Sequence, residues 1–478
     1  MQQVKFFLIA LPIWLFCQGL PGQTEPAKIN PEDVFEEVWQ ALNSHYPYFE
    51  QRGINWQTLY KVYKPKINPG TTDEELFRTL CNMIEHFNDG HVNLENGKDR
   101  VGSVMRTNAK MEDFSWKLVR DKYLNKSFKS SPDSLFYYGW LTDEIAYLRI
   151  RRFPPKEILE KYIDGIMAEL MTAKGIVLDE RGNSGGNGFG VAALASRFAD
   201  RKRLYEKNIN RVGQSKEFNN TTYHYLEPLG PAQYKGPVIL LQNAYSASGS
   251  EGFALAMKVL PHATSIGETT EGCFATFYPH KLTNGWTVTM PFSFAVDQND
   301  FCWEGMGVPP DLRKINTKED IEAGNDKVLE FALDILKAGG NIRKEADGSL
   351  SEMKISLVDQ FVAMSAKEGF EKAVNQFNKS KRTNPGVYYF SIQELAVNVK
   401  LLLQAERTED ALALLELGQK EFPDDMNTLY YLARLYENYK KQPEKAKPIW
   451  EKLASLTPSF PWENNLVTEA KKSLGTGN

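Results

Sequence analysis

The sequence predicts an α/β core flanked by an N-terminal helical subdomain and a C-terminal all-α module. From roughly residue 135 to residue 340, short apolar runs typical of buried strands alternate with helical periods, and glycines and prolines separate them. Before residue 105 and after residue 340, apolar residues recur at helical spacing instead. We therefore divide the 478 residues into segments 1–23, 24–105, 106–340 and 341–478.

The first segment, residues 1–23, has the features of a secretory signal peptide. Lys5 precedes the apolar run Phe6–Phe16, which is too short to span a bilayer, and small or polar residues follow in a cleavage zone. Cys17 is a poor lipid-attachment site because two bulky residues precede it. We therefore expect an exported protein, periplasmic or extracellular, without a lipid anchor.

The charge balance gives no indication of a polyanion-binding surface. The chain has 57 Lys and Arg against 61 Asp and Glu, so no nucleic-acid partner is predicted. No segment after the signal peptide is apolar enough to span a membrane. The exported chain would keep Cys81, Cys273 and Cys302, an odd number of widely spaced cysteines that does not form a disulfide framework. Either two of them form one disulfide bridge, or all three are structural thiols.

The N-terminal subdomain is predicted to be helical up to a turn that carries a histidine. Apolar residues recur at helical spacing over residues 34–42, and Thr72 with Glu75 has the spacing of a capping box at the start of a second helix. The run Asn88-Asp89-Gly90 then breaks the helix, which places His91 on a turn or at the start of a strand.

The core is predicted to alternate strands and helices. In chain order, its elements are a hairpin (139–150), a helix (154–174), a buried strand (176–178), a second buried strand (238–241), a helix from about Ser250, a strand near residue 265 and a hairpin (281–294). Such an alternation is typical of a layered α/β structure.

The C-terminal module is predicted to be helical throughout and partly repetitive. A charged stretch at residues 339–349 marks its beginning. Three residues of one helix pair recur 35 positions later: Ala411, Leu415 and Pro423 correspond to Ala446, Trp450 and Pro458. This period resembles the tetratricopeptide helix-pair repeat, which would offer a groove to a protein partner. Packing of these helices onto the core is the alternative.

A serine-rich turn after the strand at residues 238–241 is the candidate nucleophile site. Ser246, Ser248 and Ser250 alternate with alanine and glycine, so no bulky side chain crowds the turn. The helix that follows directs unpaired N–H groups and its positive dipole end toward the turn. A serine-rich helix N-cap without chemistry is the alternative reading of this motif taken alone.

A serine nucleophile needs a base, and the base needs an orienting acid. Of the six histidines, His91 lies on a glycine turn beside Asp89, and a surface or capping histidine is the alternative. Glu304 lies in a loop shaped by glycines and prolines and is the candidate acid, a solvated loop carboxylate being the alternative.

The glycines after the strand at residues 176–178 could stabilise a developing oxyanion. Gly185 and Gly186 lack side chains, so their N–H groups can approach a reacting carbonyl, and the N–H group of Gly249 could join them. A glycine-rich loop can also bind phosphate, but no Lys-Ser or Lys-Thr follows here, as a P-loop would require.

Four motifs stand in one order along the chain. They are Asp89-Gly90-His91, Asp179-Glu180-Arg181-Gly182-Asn183-Ser184-Gly185-Gly186, Ser246-Ala247-Ser248-Gly249-Ser250-Glu251 and Glu304-Gly305-Met306-Gly307-Val308-Pro309-Pro310-Asp311. In this order they resemble the motifs of the S41 serine peptidases, which include C-terminal processing peptidases and tricorn-core-like enzymes. The resemblance covers about residues 30–335 and implies a ClpP/crotonase-like core with Ser248 as the nucleophile.

The resemblance also distinguishes two catalytic plans. The processing-peptidase branch uses a lysine base downstream of the serine, where this chain has Cys273, so the Ser–Lys dyad is absent. The tricorn-like branch uses a histidine and a late glutamate, which His91 and Glu304 match. Gly90 stands where that branch can carry a serine, so a supporting hydrogen bond is missing. Gly249 stands where tricorn has an acidic residue, so no preference for basic substrates is implied.

We therefore expect an exported serine endopeptidase that acts on peptide or protein substrates and needs neither metal nor cofactor. Ser248 attacks, His91 accepts its proton, and Glu304 orients the imidazole directly or through a neighbour. Residues 95–135 are too few for the PDZ domain that many relatives carry. One alternative is a non-catalytic binder of hydrophobic ligands or peptides, since the fold also resembles retinoid-binding repeats. Another is an adaptor whose main functional element is the C-terminal helices.

Overall fold

The computed structural model describes residues 29–102, 111–125, 127–211, 217–340, 355–383, 388–458 and 461–476. The expected signal peptide lies outside the described residues, as does most of the expected boundary stretch at residues 339–349. Within the described ranges, none of the helices combines the length and the apolar composition that a membrane span requires.

The N-terminal part consists of three helices and two short strands. They are α1 (Pro31–His45), α2 (Trp56–Tyr63), α3 (Asp73–Ile84), β1 (Asn93–Glu95) and β2 (Arg100–Gly102). The predicted capping box begins α3: the Thr72 N–H donates to Glu75 Oε2 at 2.9 Å, and the Glu75 N–H donates to Thr72 Oγ1 at 3.3 Å. The expectation of an all-helical subdomain was incomplete, because this part also contributes strands to a sheet.

The α/β core follows. Its elements are α4 (Trp116–Leu118), β3 (Phe128–Ser130), β4 (Phe136–Trp140), β5 (Ile145–Ile150), α5 (Lys156–Leu159), α6 (Ile163–Leu170), β6 (Gly175–Asp179), α7 (Gly188–Ala195), β7 (Arg203–Asn210), β8 (Asn220–Leu226), β9 (Val238–Gln242), α8 (Gly249–Lys258), β10 (Ala263–Gly267), β11 (Phe277–Lys281), β12 (Thr287–Pro291), β13 (Phe294–Asp297), β14 (Leu312–Arg313), α9 (Lys318–Glu322) and α10 (Lys327–Lys337).

A seven-stranded sheet in the order β14-β10-β9-β6-β5-β4-β3 is the centre of the core. Strands β5, β6, β9, β10 and β14 pair in parallel. Strand β4 pairs antiparallel with both β5 and β3. Leu178 and Leu240 pack into one hydrophobic cluster and Val177 and Ile239 into another, on opposite faces of the sheet. Because β6 and β9 are parallel neighbours, the loops that follow them leave the same edge of the sheet.

A four-stranded sheet joins distant parts of the chain. Its order is β11-β12-β1-β2, and Asn93 of β1 pairs with Thr289 of β12. Helices α1 to α3 pack on this sheet through a second hydrophobic core that includes Phe35, Leu80 and Val288. The pairing of β1 with β12 therefore holds the turn that carries His91 against the hairpin of β11 and β12.

Two predicted elements differ in the structure. The helix expected over residues 154–174 is two helices, α5 and α6. Tyr162 interrupts it with a non-helical φ of −140°, and the last backbone hydrogen bonds up to that residue, from the N–H groups of residues 161 and 162, reach back three residues instead of four. Strands β7 and β8, which form a three-stranded sheet with β13, were not predicted from the sequence. The hairpin of β4 and β5 is confirmed.

The C-terminal region is mainly helical. It comprises β15 (Ile355–Ser356), α11 (Leu357–Glu368), α12 (Phe370–Thr383), β16 (Tyr388–Tyr389), α13 (Ile392–Gln404), α14 (Thr408–Glu421), α15 (Met426–Arg434), α16 (Pro443–Ser455) and α17 (Pro461–Ser473). The short parallel pair of β15 and β16 corrects the expectation of helices alone. The region contacts the core at β8, where the side chain of Asn220 bonds to the backbone of Phe390 and Ile392.

Candidate active site

Ser248 lies between β9 and α8 in a strained conformation. Its φ of 55° and ψ of −121° are unusual for a residue other than glycine, and such strain is found most often at functional positions. Its N–H donates to Glu251 Oε2 at 3.0 Å. On the other side, a Cβ at Gly185 would come within 2.7 Å of Ser248 Cβ, so only glycine fits against the turn.

Glu251 stabilises the turn at Ser248 through hydrogen bonds to its carboxylate. Its buried carboxylate also accepts hydrogen bonds from the Thr270 hydroxyl at 2.6 Å and from the N–H groups of Gly272 and Cys273 at 2.7 Å each. Burial raises the pKa of Glu251 to about 7, and these donors oppose that rise. The sequence analysis did not assign Glu251 a role, although Ser248-x-x-Glu251 has capping-box spacing and could have revealed it.

His91 faces Ser248 across the junction of the two sheets. Its Nε2 is 3.2 Å from Ser248 Oγ, although 157 residues separate them in the chain. The ring stacks on Phe277 at a centroid distance of 4.7 Å, and the His91 carbonyl accepts from Thr289 Oγ1 at 2.8 Å. Burial lowers the pKa of His91 below its ordinary value, while the charge of Asp89 opposes this. Burial therefore favours the neutral imidazole, the form that a general base needs.

Glu304 does not hydrogen-bond His91 within the described ranges. One carboxylate oxygen is paired with the guanidinium of Arg52, and the other accepts the N–H of Phe274 at 2.8 Å. Burial, and then the nearby charge of Asp89, raise the pKa of Glu304, and Arg52 opposes this. Arg52 Nε in turn lies 3.7 Å from Asp89 Oδ2.

Asp89 is the carboxylate next to the histidine. Its Oδ1 accepts the N–H of His91 at 2.8 Å, and its Oδ2 accepts the hydroxyl of Tyr46 at 2.9 Å. Glu304, Arg52 and Asp89 thus form a buried chain of charges that ends at His91. Arg52 was not predicted from the sequence, because nothing near it in the chain marks a pairing with a residue 252 positions away.

The three glycines proposed for an oxyanion hole lie together beside Ser248. The N–H of Gly185 is already occupied, since it donates to Asn183 Oδ1 at 2.8 Å. The N–H groups of Gly186 and Gly249 have no acceptor in the described part of the chain. A Cβ on Gly249 would lie 3.0 Å from the nitrogen of Gly186, so the two backbones are in contact.

The loop that carries these glycines is held by a buried ion network. Arg181 donates to Asp179 at 3.0 and 2.6 Å and to Asp326 at 2.9 Å twice, and all three side chains are almost fully buried. Phe114 lies 4.5 Å from the guanidinium of Arg181 and 4.3 Å from that of Arg149. Arg181 therefore fixes the beginning of the glycine loop.

Replacement of Arg181 by methionine should lower the free energy of unfolding by about 3–5 kcal/mol, because the buried Asp326 loses its cation and Asp179 keeps only the more distant Arg149, at 3.7 Å. Urea denaturation followed by fluorescence measures the change. The matched control is Arg120→Met, since Arg120 pairs with Asp121 at a partly exposed site and its loss should leave the midpoint in place. Equal midpoints for both variants would refute the structural role of Arg181.

Two family models match this chain. The model described as Peptidase family S41 matches residues 144–313, which include the glycine loop and Ser248. The model described as Tricorn protease C1 domain matches residues 29–85, which form α1 to α3.

Three individual proteins are similar to this chain over different shares of its length. Tricorn protease of Thermoplasma acidophilum is 28% identical over 166 residues, 34% of this chain and 14% of that protein. Tail-specific protease of Haemophilus influenzae is 24% identical over 356 residues, 73% of this chain and 45% of that protein. The chain thus spans less than half the length of these curated relatives. A solved structure of a candidate peptidase from Parabacteroides merdae is 28% identical, with a TM-score of 0.59 over 66% of this chain and 98% of that one.

Proposed function

Because this chain is a member of the S41 peptidase family, we propose that it is a serine endopeptidase acting on peptide or protein substrates. The observation that carries the proposal is the 3.2 Å contact between His91 Nε2 and the hydroxyl of Ser248, a serine in a strained strand-to-helix turn.

The reaction proceeds through an acyl-enzyme. Ser248 Oγ bonds to the scissile carbonyl carbon while His91 Nε2 takes the hydroxyl proton. The N–H groups of Gly186 and Gly249 donate to the tetrahedral oxyanion, and Gly185 serves to let these backbones approach. As the C–N bond breaks, His91 returns the proton to the leaving amine. Water, deprotonated by His91, then bonds to the acyl carbon, the ester bond to Ser248 Oγ breaks, and His91 returns the proton to Oγ. Neither a metal nor a cofactor enters these steps.

Glu304 supports the base through its neighbours. Its carboxylate holds Arg52, Arg52 lies against Asp89, and Asp89 accepts the backbone N–H of His91. We assign the direct electrostatic support of the imidazolium to Asp89, because it raises the pKa of His91, and the positioning of Asp89 to Glu304 and Arg52. Gly90, where relatives can carry a serine, leaves no side chain to connect Glu304 with the histidine more directly.

The flanking segments have separate roles in this proposal. Residues 1–23 are a signal peptide that directs export to the periplasm or beyond, residues 24–105 carry the histidine motif, and residues 106–340 are the peptidase core. Residues 341–478 are a tetratricopeptide-like module that binds a protein partner. Its support is that the 35-residue repeat positions Ala411 and Ala446 are both buried between helices.

Active-site labelling tests the proposal. A fluorophosphonate should label the purified protein on Ser248, identified by peptide mass mapping, and the label should disappear in His91→Ala because the hydroxyl then lacks its base. Retained label in His91→Ala would refute the role of the histidine. A folded protein that takes no label and yields a tightly bound apolar ligand on extraction would instead be a binder.

A further inference from the structure

His91 belongs to a cluster of three side chains, one of which, Cys273, has no role in the proposed reaction. An imidazole nitrogen of His91, the thiol of Cys273 and a carboxylate oxygen of Asp89 lie within 4.8 Å of one another. Cys273 Sγ and Asp89 Oδ1 are 3.6 Å apart. The exposed fractions of Asp89, His91 and Cys273 are 0%, 5% and 3%, so all three groups are withdrawn from bulk water.

The histidine of this cluster has an unused nitrogen. His91 Nδ1 is buried and has no hydrogen-bond partner in the described part of the chain, whereas Nε2 faces Ser248. Buried polar atoms without partners are rare in folded proteins and call for an explanation such as an absent ion or water. Nδ1 is thus the nitrogen left for a ligand of the cluster.

We propose that Asp89, His91 and Cys273 bind a zinc-class divalent cation. Carboxylate oxygen, imidazole nitrogen and thiolate sulfur are the ligands that zinc prefers in proteins, and tetrahedral bonds to them separate the ligand atoms by about 3.3–3.8 Å. The 3.6 Å between Cys273 and Asp89 already fits this range. The thiol loses its proton to solvent as the metal–sulfur bond forms, and a water molecule completes the fourth position.

A polar cleft gives a cation access to this cluster. Its lining includes Gly90 and Cys273 together with the carboxylates of Glu268 and Glu271. A Cβ at position 90 would come within 3.0 Å of Cys273 Sγ, so Gly90 keeps the sulfur open to the cleft. Arg52 also lines the cleft and opposes a cation, but its charge is paired with Glu304.

Occupation of the cluster would switch off the base. A neutral imidazole that binds a metal through Nδ1 carries its proton on Nε2, and Nε2 then donates to Ser248 instead of accepting from it. Metal binding should therefore inhibit acylation reversibly. This consequence depends on the proposed peptidase function, whereas the binding itself does not.

Cobalt(II) provides a readout of binding that needs no activity. Titration of the full purified protein with Co²⁺ should give thiolate-to-cobalt charge-transfer absorption and the strong visible bands of a four-coordinate ion. Cys273→Ser should lose the charge-transfer band, and Asp89→Asn should weaken binding by at least about tenfold. The matched control is Cys81→Ser, which removes a free thiol outside the cluster and should leave the spectrum unchanged. Circular dichroism verifies that each variant is folded.

Zinc in place of cobalt then tests the switch. Zn²⁺ should slow fluorophosphonate labelling of Ser248 in the wild type, a chelator should restore the rate, and Cys81→Ser should behave like the wild type. A charge-transfer band that persists in folded Cys273→Ser, or no band in the wild type, would overturn the metal site. A wild type that binds cobalt but never takes the label would refute the proposed peptidase and leave the metal site standing.

Discussion

Replacement of Ser248 by alanine is expected to lower kcat for peptide or ester substrates by at least about 10⁴-fold. The alanine removes the atom that bonds to the carbonyl carbon, and what remains is catalysis by the oxyanion donors and binding alone. KM should change little, because the hydroxyl contributes mainly after the substrate is bound. Steady-state hydrolysis of a chromogenic ester, with protein quantified by absorbance, measures both constants.

The neighbouring Ser250 provides the matched control. Its hydroxyl donates to Glu180 Oε2 at 2.7 Å inside the core and does not reach the site. Ser250→Ala should reduce stability by about 1–3 kcal/mol through the unpaired Glu180 carboxyl and keep kcat near that of the wild type. A reversed pattern, with activity lost at residue 250 and kept at residue 248, would mean that the nucleophile has been misassigned.

Exchange of the two carboxylates for amides should separate their roles. Asp89→Asn is expected to lower kcat by about 10³–10⁴-fold, because the imidazolium formed during attack loses its adjacent negative charge. Glu304→Gln is expected to lower kcat by only about tenfold, since Glu304 acts through Arg52 and its amide can still accept from the Phe274 N–H. Both exchanges preserve shape, and kcat and KM are measured in a chelating buffer.

The pH profile distinguishes electrostatic support from a merely structural effect. Asp89 raises the pKa of His91, so its removal should lower that pKa further. The base then stays neutral to lower pH, and the acid limb of kcat/KM should shift to lower pH in Asp89→Asn. Glu304→Gln should leave the limb in place. Equal losses of kcat, or an acid limb that shifts only in Glu304→Gln, would return the direct role to Glu304.

The family and the α/β core could be predicted from the sequence because both rest on local patterns. An apolar run followed by a small-residue turn predicted β9 and α8, and the glycines at residues 185 and 186 marked a loop that approaches another backbone. The catalytic roles of Ser248 and His91 remain predictions that the experiments above test. The missed strands β7 and β8 illustrate the limit, since neither contains a continuous apolar run and their partial burial depends on the sheet that they form with β13.

By itself, the sequence determined which short segments are the candidates for the chemistry: the turn before α8, the glycine loop and the Asp89-Gly90-His91 break. Turn and capping preferences act within a few residues, so a single chain reveals them. The tertiary structure decided how these segments meet. Pairing of β1 with β12 brings His91 to Ser248, and burial of Arg52 pairs Glu304 with the guanidinium and leaves Asp89 beside His91. Strand register and the pairing of buried charges depend on residues far apart in the chain, and local patterns do not contain that information.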